Sequence, residues 1–385
     1  MKKLSIRNLG PVREAEIELG RTNVIIGQQS AGKSCVLKTA SFCAWAEKKI
    51  ELAQSCERFE EKGSFLRELL TFHRMTGYGR KDTRIGYETD FMKFCYDNST
   101  GKLAMEWKEK RWDYRRPQIA YIPTERNIVA TIPNWMEVRM DDDNVRGFMV
   151  DWEEARSVYG KGVDILNLDV TYRYDKASHS DLIDIGDGRE IGMINASSGL
   201  QSAVPLYVYV DFITGLRDRK KSVVRSIENM HFMELLYEHL MPEDKRGHDY
   251  KRMSVERRQV PVLDFGSGND DIFEEYRKEL PHFTVPQHCE LFIEEPENNL
   301  FPPTQCRLAE WLMEKAGDKH QLFIATHSPY ILSTFVESKP DDFRLLFLKR
   351  GADGMTTVRT ATPDDISEIN YYGTDPFINI EAYNE

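Results

Sequence analysis

The sequence predicts an α/β fold: a mixed sheet, mainly parallel, carrying helices, with antiparallel strands at its N-terminal end and helical insertions between the sheet-forming stretches. Three observations predict it. An apolar strand, Thr22 to Ile26, runs into Gly27 and a glycine-containing turn, and helix-compatible residues follow from Gly32 to about Lys49. The last hundred residues alternate apolar strands with helical patterns, as the units of a parallel sheet do. The opening carries two further short strands, Lys3 to Arg7 and Glu14 to Leu19, joined by the turn residues Asn8 to Pro11.

Taken in order, a second helical stretch spans Glu57 to Phe72. Arg84 to Trp112 alternates apolar and polar residues, as strands of an antiparallel meander would. Gln118 to Ile122 is a compact apolar strand. Between Ile132 and Pro286 the pattern is mixed, with helical periodicity at Trp135 to Tyr159 and Val223 to Leu240, short strands near Asp164 to Tyr172, and a polar basic stretch at Lys245 to Arg258. Strands at Cys289 to Ile293, Gln321 to Ala325, Arg344 to Leu348 and Thr356 to Arg359 then enclose helices at Pro303 to Lys315 and Pro329 to Val336.

With 385 residues, 41% of them hydrophobic, the chain has material for a large core and for two to three units of roughly 150 residues. Its 52 basic and 63 acidic residues leave a net charge of −11, so any contact with DNA must come from local patches. The richest apolar stretch, Ala203 to Leu216, is broken by Asp211, and no spanning helix is expected. The opening lysines precede no apolar run, which gives a cytoplasmic expectation. Six scattered cysteines lack metal-ligand or disulfide spacing and read as reduced thiols.

Four segments carry chemistry. Gly27-Gln28-Gln29-Ser30-Ala31-Gly32-Lys33-Ser34 fits G-x-x-x-x-G-K-[ST] between strand and helix. Its backbone N–H groups, extending to Cys35, would cradle the phosphates of ATP at a positive helix end, Lys33 would reach the β- and γ-phosphates, and Ser34 would hold Mg²⁺. The strand Leu291 to Ile293 ends in Glu294-Glu295-Pro296-Glu297; the first acid suits Mg²⁺ and the second an attacking water, although a solvated strand end reads the same way. The strand Leu322 to Ala325 ends in Thr326-His327-Ser328-Pro329, and His327 could donate to a γ-phosphate or to the water. Finally Asn195-Ala196-Ser197-Ser198-Gly199-Leu200-Gln201 precedes an apolar helix, as an N-cap or an anion site would.

In this order the segments resemble the ABC-type ATPase head of the SMC, RecF and OLD group, over residues 1 to 55, 117 to 127, 190 to 215 and 287 to 360. Ser198-Gly199-Leu200-Gln201 looks like a degenerate signature motif, with Leu200 where a second glycine is usual. Glu294 to Glu297, followed by Asn298-Asn299-Leu300-Phe301-Pro302, resembles the Walker B and D-loop of the OLD-like branch, with Phe301 in place of its usual histidine. His327 resembles the switch histidine. Pro123-Thr124-Glu125-Arg126 departs from the group by lacking a Q-loop glutamine.

The resemblance implies an ATPase whose heads dimerise around two ATP molecules, Ser198 and Gly199 of one subunit completing the site built by Lys33 and Ser34 of the other. It leaves 56–116 and the mixed regions 128–189 and 216–286 as insertions, and 361–385 as an acidic tail. No stretch reads as the long coiled coil of SMC proteins, and no TOPRIM nuclease domain is expected. The expected role is therefore an ATPase subunit controlling a separate effector, nuclease-like, in anti-phage defence. A RecF-like DNA clamp, using basic runs at Lys108 to Arg116, Arg217 to Lys221 and Lys251 to Arg258, is the alternative. So is an ATP-binding scaffold with little turnover; a membrane-transporter subunit fits the acidic strand end poorly.

Overall fold

A computed structural model describes residues 2–186, 188–215, 227–241, 251–255, 258–263, 265, 268–372 and 376–379. The chain opens with β1 (Lys2–Leu9), β2 (Val12–Leu19), β3 (Thr22–Gly27) and α1 (Lys33–Ala53). After a 3-10 turn at Glu57–Phe59 come α2 (Ser64–Phe72) and the meander β4 (Gly79–Glu88), β5 (Met92–Asp97) and β6 (Lys102–Trp107). Next follow β7 (Pro117–Ile122), α3 (Ile128–Thr131), α4 (Asn144–Arg156), and the short strands β8 (Val163–Asp164), β9 (Thr171–Asp175), β10 (Ser180–Asp184) and β11 (Glu190–Gly192). Then come α5 (Ser198–Thr214), α6 (Ile227–Leu240), β12 (Lys251–Val255), β13 (Arg258–Val262) and α7 (Asp270–Thr284). The closing part is β14 (His288–Glu294), α8 (Pro302–Ala316), β15 (Gln321–Ala325), α9 (Pro329–Ser338), β16 (Phe343–Arg350), β17 (Thr356–Thr360) and α10 (Pro363–Tyr372).

The expected mixed α/β architecture is present. One sheet of eleven strands runs β6-β5-β4-β1-β2-β17-β16-β3-β15-β14-β7. Its part from β16 to β7 is parallel, while β6 to β2 is antiparallel throughout. The strands of the 56–116 segment therefore extend the main sheet at its edge. Both faces of the parallel part are covered, which is why its strands read as continuous apolar runs. In β3, Val24 and Ile26 enter one core with α4, α5, α8 and α9, while Ile25 enters the other with α1, α2 and the antiparallel strands. A third cluster, around Tyr114, Phe232 and Phe283, sits under α6 and α7.

Several boundaries differ from the sequence expectation for local reasons. The helix expected over 57–72 breaks at Gly63, whose φ of 78° lies in the left-handed region, so α2 starts only at Ser64. The helix expected from Trp135 starts at Asn144, where the Asp143 carboxylate accepts from the N–H groups of Val145 and Arg146 at 3.0 Å each. The residues near 164–172 belong to a separate four-stranded antiparallel sheet, β11-β10-β9-β8. Part of the presumed acidic tail is the helix α10, with Asp364 and Asp365 in its first turn, where carboxylates favour the helix dipole. The beginning of the 223–240 helix and residues 245–250 of the basic stretch lie outside the described residues. Among the described residues no helix is long and apolar enough to cross a membrane.

Candidate functional site

The order β3-β15-β14 places three loops side by side at the C-terminal strand ends, where open α/β sheets bind ligands. The phosphate loop follows β3, Glu295 follows β14, and His327 follows β15. Backbone bonds continue the ladder into these loops: Glu295 N–H donates to the Ala325 carbonyl at 2.8 Å, and Thr326 N–H to that of Ile25 at 3.1 Å. A cavity of about 530 Å³ opens in front of them. It is lined by Gln29, Ser30, Gly32, Lys33, Ser34 and Cys35 of the loop, and by Glu295 and His327.

The loop geometry needs its glycines. Gly32 stands at φ 96°, and a Cβ there would lie 2.8 Å from the Pro11 ring; at Gly27 a Cβ would lie 2.7 Å from that of Leu348. Gln28 and Gln29 are exposed, and Ala31 is buried, its N–H bonded to the Gln28 carbonyl at 3.2 Å. Cys35 also lines the cavity, but its thiol turns to the Leu9 carbonyl at 3.6 Å and burial pushes it up to about 12. Only its backbone is therefore available to a phosphate.

Lys33 folds back on the loop, its ammonium donating to the carbonyls of Gly27 at 2.9 Å and Gln28 at 3.0 Å. Burial lowers it to about 8, against the opposing pull of Glu295 and Glu297. The charged form is what an anion recruits, so above that value nucleotide binding must take up a proton. ATP affinity should fall by about tenfold between pH 7.5 and 9, as measured by equilibrium titration, and Lys33→Met should remove that pH dependence along with binding.

The acidic strand end divides its work. Glu294 is buried, its Oε1 lies 3.9 Å from the Lys38 ammonium, and that oxygen has no hydrogen-bond partner. Glu295 lines the cavity at φ 41°, unusual for a residue with a Cβ and more so before proline. Its Oε1 is 3.9 Å from His327 Nε2. Burial and the nearby Lys33 charge lower the His327 pKa. Glu297 accepts the His327 backbone N–H at 2.6 Å, and burial raises its pKa. Ser328 is the cap of α9, accepting from the N–H groups of Tyr330 and Ile331 at 3.1 Å each.

Ser198 and Gly199 open α5 and are not among the residues lining the phosphate cavity of their own chain. Ser197 is the N-cap, its hydroxyl accepting from Leu200 N–H at 3.4 Å. A Cβ on Gly199 would approach the Asn299 carbonyl to 3.1 Å, and the Asn299 amide donates to the Ser202 hydroxyl at 3.0 Å. The segment after Glu297 thus packs directly on the start of α5.

Two contributions were not legible as site residues. Arg74, Met75, Tyr78 and Arg80, between α2 and β4, line the phosphate cavity beside Gly10 and Pro11. No spacing in the sequence marks them, because the approach depends on β4 pairing with β1. Arg126, in the segment Pro123–Arg126 after β7, is fully buried and donates to five carbonyls: Pro123 at 3.4 Å, Ser202 at 3.2 Å, Glu294 at 3.0 Å, Glu295 at 2.8 Å and Pro296 at 3.1 Å. Burial lowers it to about 10, still well above neutrality. It clamps the acidic turn to α5. Glu125 is half exposed and 4.0 Å from Arg74.

Residues 275–332 match the AAA ATPase domain family. That stretch runs from α7 through Glu294, Glu295 and His327 into α9. Together with the phosphate loop it marks an ATP-binding P-loop site. No curated protein matches the chain significantly. Among solved structures, the SMC head domain from Thermotoga maritima is 10% identical, covering 94% of this chain and 98% of its own, with a TM-score of 0.43. A Smc head bound to the C-terminal winged-helix domain of ScpA is 10% identical, covering 95% and 99%, with a TM-score of 0.40. A Smc head with an extended coiled coil, bound to the C-terminal domain of ScpA and derived from Pyrococcus furiosus, is 10% identical over 96% and 98%, with a TM-score of 0.33.

Proposed function

We propose that the chain hydrolyses ATP with Mg²⁺, dimerises around the nucleotide, and thereby controls a separate effector protein in anti-phage defence. The observation that carries hydrolysis is the Glu294–Glu295 pair at the end of β14, beside the loop that holds Lys33. Ser34, whose hydroxyl is exposed, lines the phosphate cavity, and Glu294 is buried at the end of β14 behind it; these two oxygen donors are the ones that would suit Mg²⁺. Bound there, the ion would neutralise phosphate charge and orient the oxygens for in-line attack.

The protein's own residues supply the rest. Lys33 exchanges the Gly27 and Gln28 carbonyls for phosphate oxygens, so the loop reorganises when nucleotide enters. Glu295 holds the attacking water and takes its proton, its backbone fixed by Arg126 and the Ala325 carbonyl. His327, neutral near pH 7 through burial and the Lys33 charge, donates from its ring to the γ-phosphate or the water.

Self-association is supported by the position of Ser198 and Gly199. They stand at a helix N-terminus away from the chain's own phosphate cavity, as residues serving a second copy would. Light-scattering mass of Glu295→Gln protein tests this: Mg-ATP should double the mass, and Ser198→Arg should abolish the doubling. A constant monomer would overturn the dimer. An effector co-purifying from phage-challenged cells supports the defence role, and its absence counts against it. That role rests on the family resemblance alone.

The DNA-clamp alternative loses one of its supports. In the first basic run, Lys108 pairs with Glu88 at 2.6 Å, Arg111 lies over the Trp107 ring at 4.2 Å, Arg115 pairs with Glu279 at 3.7 Å, and Arg116 donates to the Thr284 carbonyl at 3.0 Å. These four cations are engaged by other parts of the chain, while Lys110 of the same run is exposed. Residues 217–221 of the second run lie outside the described residues, as do 256 and 257 of the third.

A further inference from the structure

A second cavity, of about 300 Å³, lies farther along the same face of α1 from the phosphate loop, between α1, α2, β7 and α4. We infer that it is a ligand site for an unphosphorylated nucleoside or nucleobase bearing an exocyclic amine. Its volume and lining are those of small-molecule sites: aromatic walls with a few polar groups. Phe42, Trp45, Phe72 and Phe148 supply the walls, with Phe42 and Trp45 at 5.3 Å between ring centroids. These two rings are tilted by 34° and pack on each other, and the aromatic walls together favour a flat ligand ring.

Two polar groups are unspent. His73, Tyr121 and Asn144 line the cavity; the His73 Nδ1 and the Asn144 side-chain oxygen are buried without a hydrogen-bond partner, while the Tyr121 hydroxyl is engaged by the Glu294 carboxylate. Buried polar atoms normally find partners, so two of them at one cavity call for a ligand that bonds them. Burial and the Lys38 charge lower His73 to about 3, which keeps its ring neutral and able to donate and accept. At the mouth, Arg58 is already paired with Glu68 and Asp151 accepts from the Tyr209 hydroxyl at 2.7 Å, leaving the exposed Asp142 to set the sign. That field favours an amine and repels a phosphate.

The cavity also shares a wall with the phosphate site. Phe72 and His73 line one, and the next two residues, Arg74 and Met75, line the other. Asp142 and Asn144 line this cavity, while Asp143 between them holds the Arg74 guanidinium at 2.5 Å. Tyr121 sits close enough to Glu294 for that carboxylate to help burial raise the phenol's pKa. Occupancy should therefore change ATP affinity by a fewfold, within ordinary coupling energies. This coupling rests on the ATP reading above, whereas occupancy does not.

The test is calorimetric titration of the full chain with adenosine and cytidine, with inosine, uridine and AMP as contrasts, alone and in excess Mg-ADP. Saturable adenosine or cytidine binding at one per chain that survives Mg-ADP, with the contrasts weaker by about tenfold or more, is expected. Gly147→Leu should fill the cavity and weaken binding by a similar factor, with unchanged thermal unfolding. A Cβ at Gly147 meets only the Phe72 ring, at 3.7 Å and 3.9 Å, and leucine suits the middle of α4. Phe72→Ala, at a half-exposed wall, is the second variant. No saturable binding, displacement by Mg-ADP, equal binding of AMP, or full binding by both variants would overturn the site. If ADP alone fails to bind while adenosine binds, the ATP reading fails and the site stands. Unchanged ATP affinity at saturating adenosine overturns the coupling.

Discussion

Glu295→Gln should bind ATP as the wild type does and turn it over about 10²–10⁴ times more slowly, the usual contribution of a positioned general base. The amide keeps the shape and hydrogen-bonding reach of the carboxylate but cannot take a proton. The side chain's location makes the substitution selective. It lines the phosphate cavity, is 41% exposed, and faces His327 Nε2 at 3.9 Å, so no core contact is lost. Phosphate release measures turnover, and equilibrium titration with Mg-ATP measures binding. Equal and negligible rates for both proteins would instead identify an ATP-binding scaffold. Glu297→Ala provides the contrast, because Glu297 accepts the His327 backbone N–H at 2.6 Å and positions that loop; removing the acceptor should act through His327 and change the pH profile of turnover.

Arg126→Ala should lower stability by about 3–5 kcal/mol, read as a large drop in denaturant midpoint, because it removes a buried cation that satisfies carbonyls from three separate segments. The carbonyls left behind are buried and lose their donors together, and each unsatisfied acceptor is costly. Arg126→Lys should recover only part of this, since a single ammonium cannot span a set of acceptors that the planar guanidinium reaches at once. A functional effect should accompany the structural one. Glu295 holds a left-handed backbone at φ 41°, a conformation that persists where its surroundings over-determine it. Arg126, bonded to the carbonyls on both sides of that residue and to its own, is the main such constraint. Residual folded Arg126→Lys protein should therefore lose turnover beyond what its stability explains, measured as kcat at a temperature where it remains folded. Wild-type kcat in that variant would overturn this role.

Legibility differed from residue to residue. Gly27 to Ser34 could be recognised from spacing because the cradle is local: its glycines, its lysine and its helix start lie within one turn of chain. Glu294 and Glu295 were legible as an acidic strand end but equally as a solvated one, and only the burial of Glu294 separates the two readings. Arg126 read as a departure from a family pattern. Its role appeared only when β7, β14 and α5 were brought together, since its acceptors lie up to 170 residues away along the chain.

The sequence by itself determined the α/β periodicity, the phosphate loop, the acidic and histidine-bearing strand ends, and the capped start of α5, because each is a pattern within a few residues. Tertiary structure alone decided that β3, β15 and β14 stand side by side, that the loop after α2 supplies Arg74 and Tyr78 to the phosphate cavity, and that Ser198 stands apart from it. It also decided which charges are free. The basic run at 108–116 looks like a solvated or nucleic-acid surface in one dimension, and in three all of its cations but the exposed Lys110 are taken up, by Glu88, Trp107, Glu279 and the Thr284 carbonyl. The physical reason is that hydrogen bonds and ion pairs are set by distance in space, which sheet order fixes and local sequence does not encode.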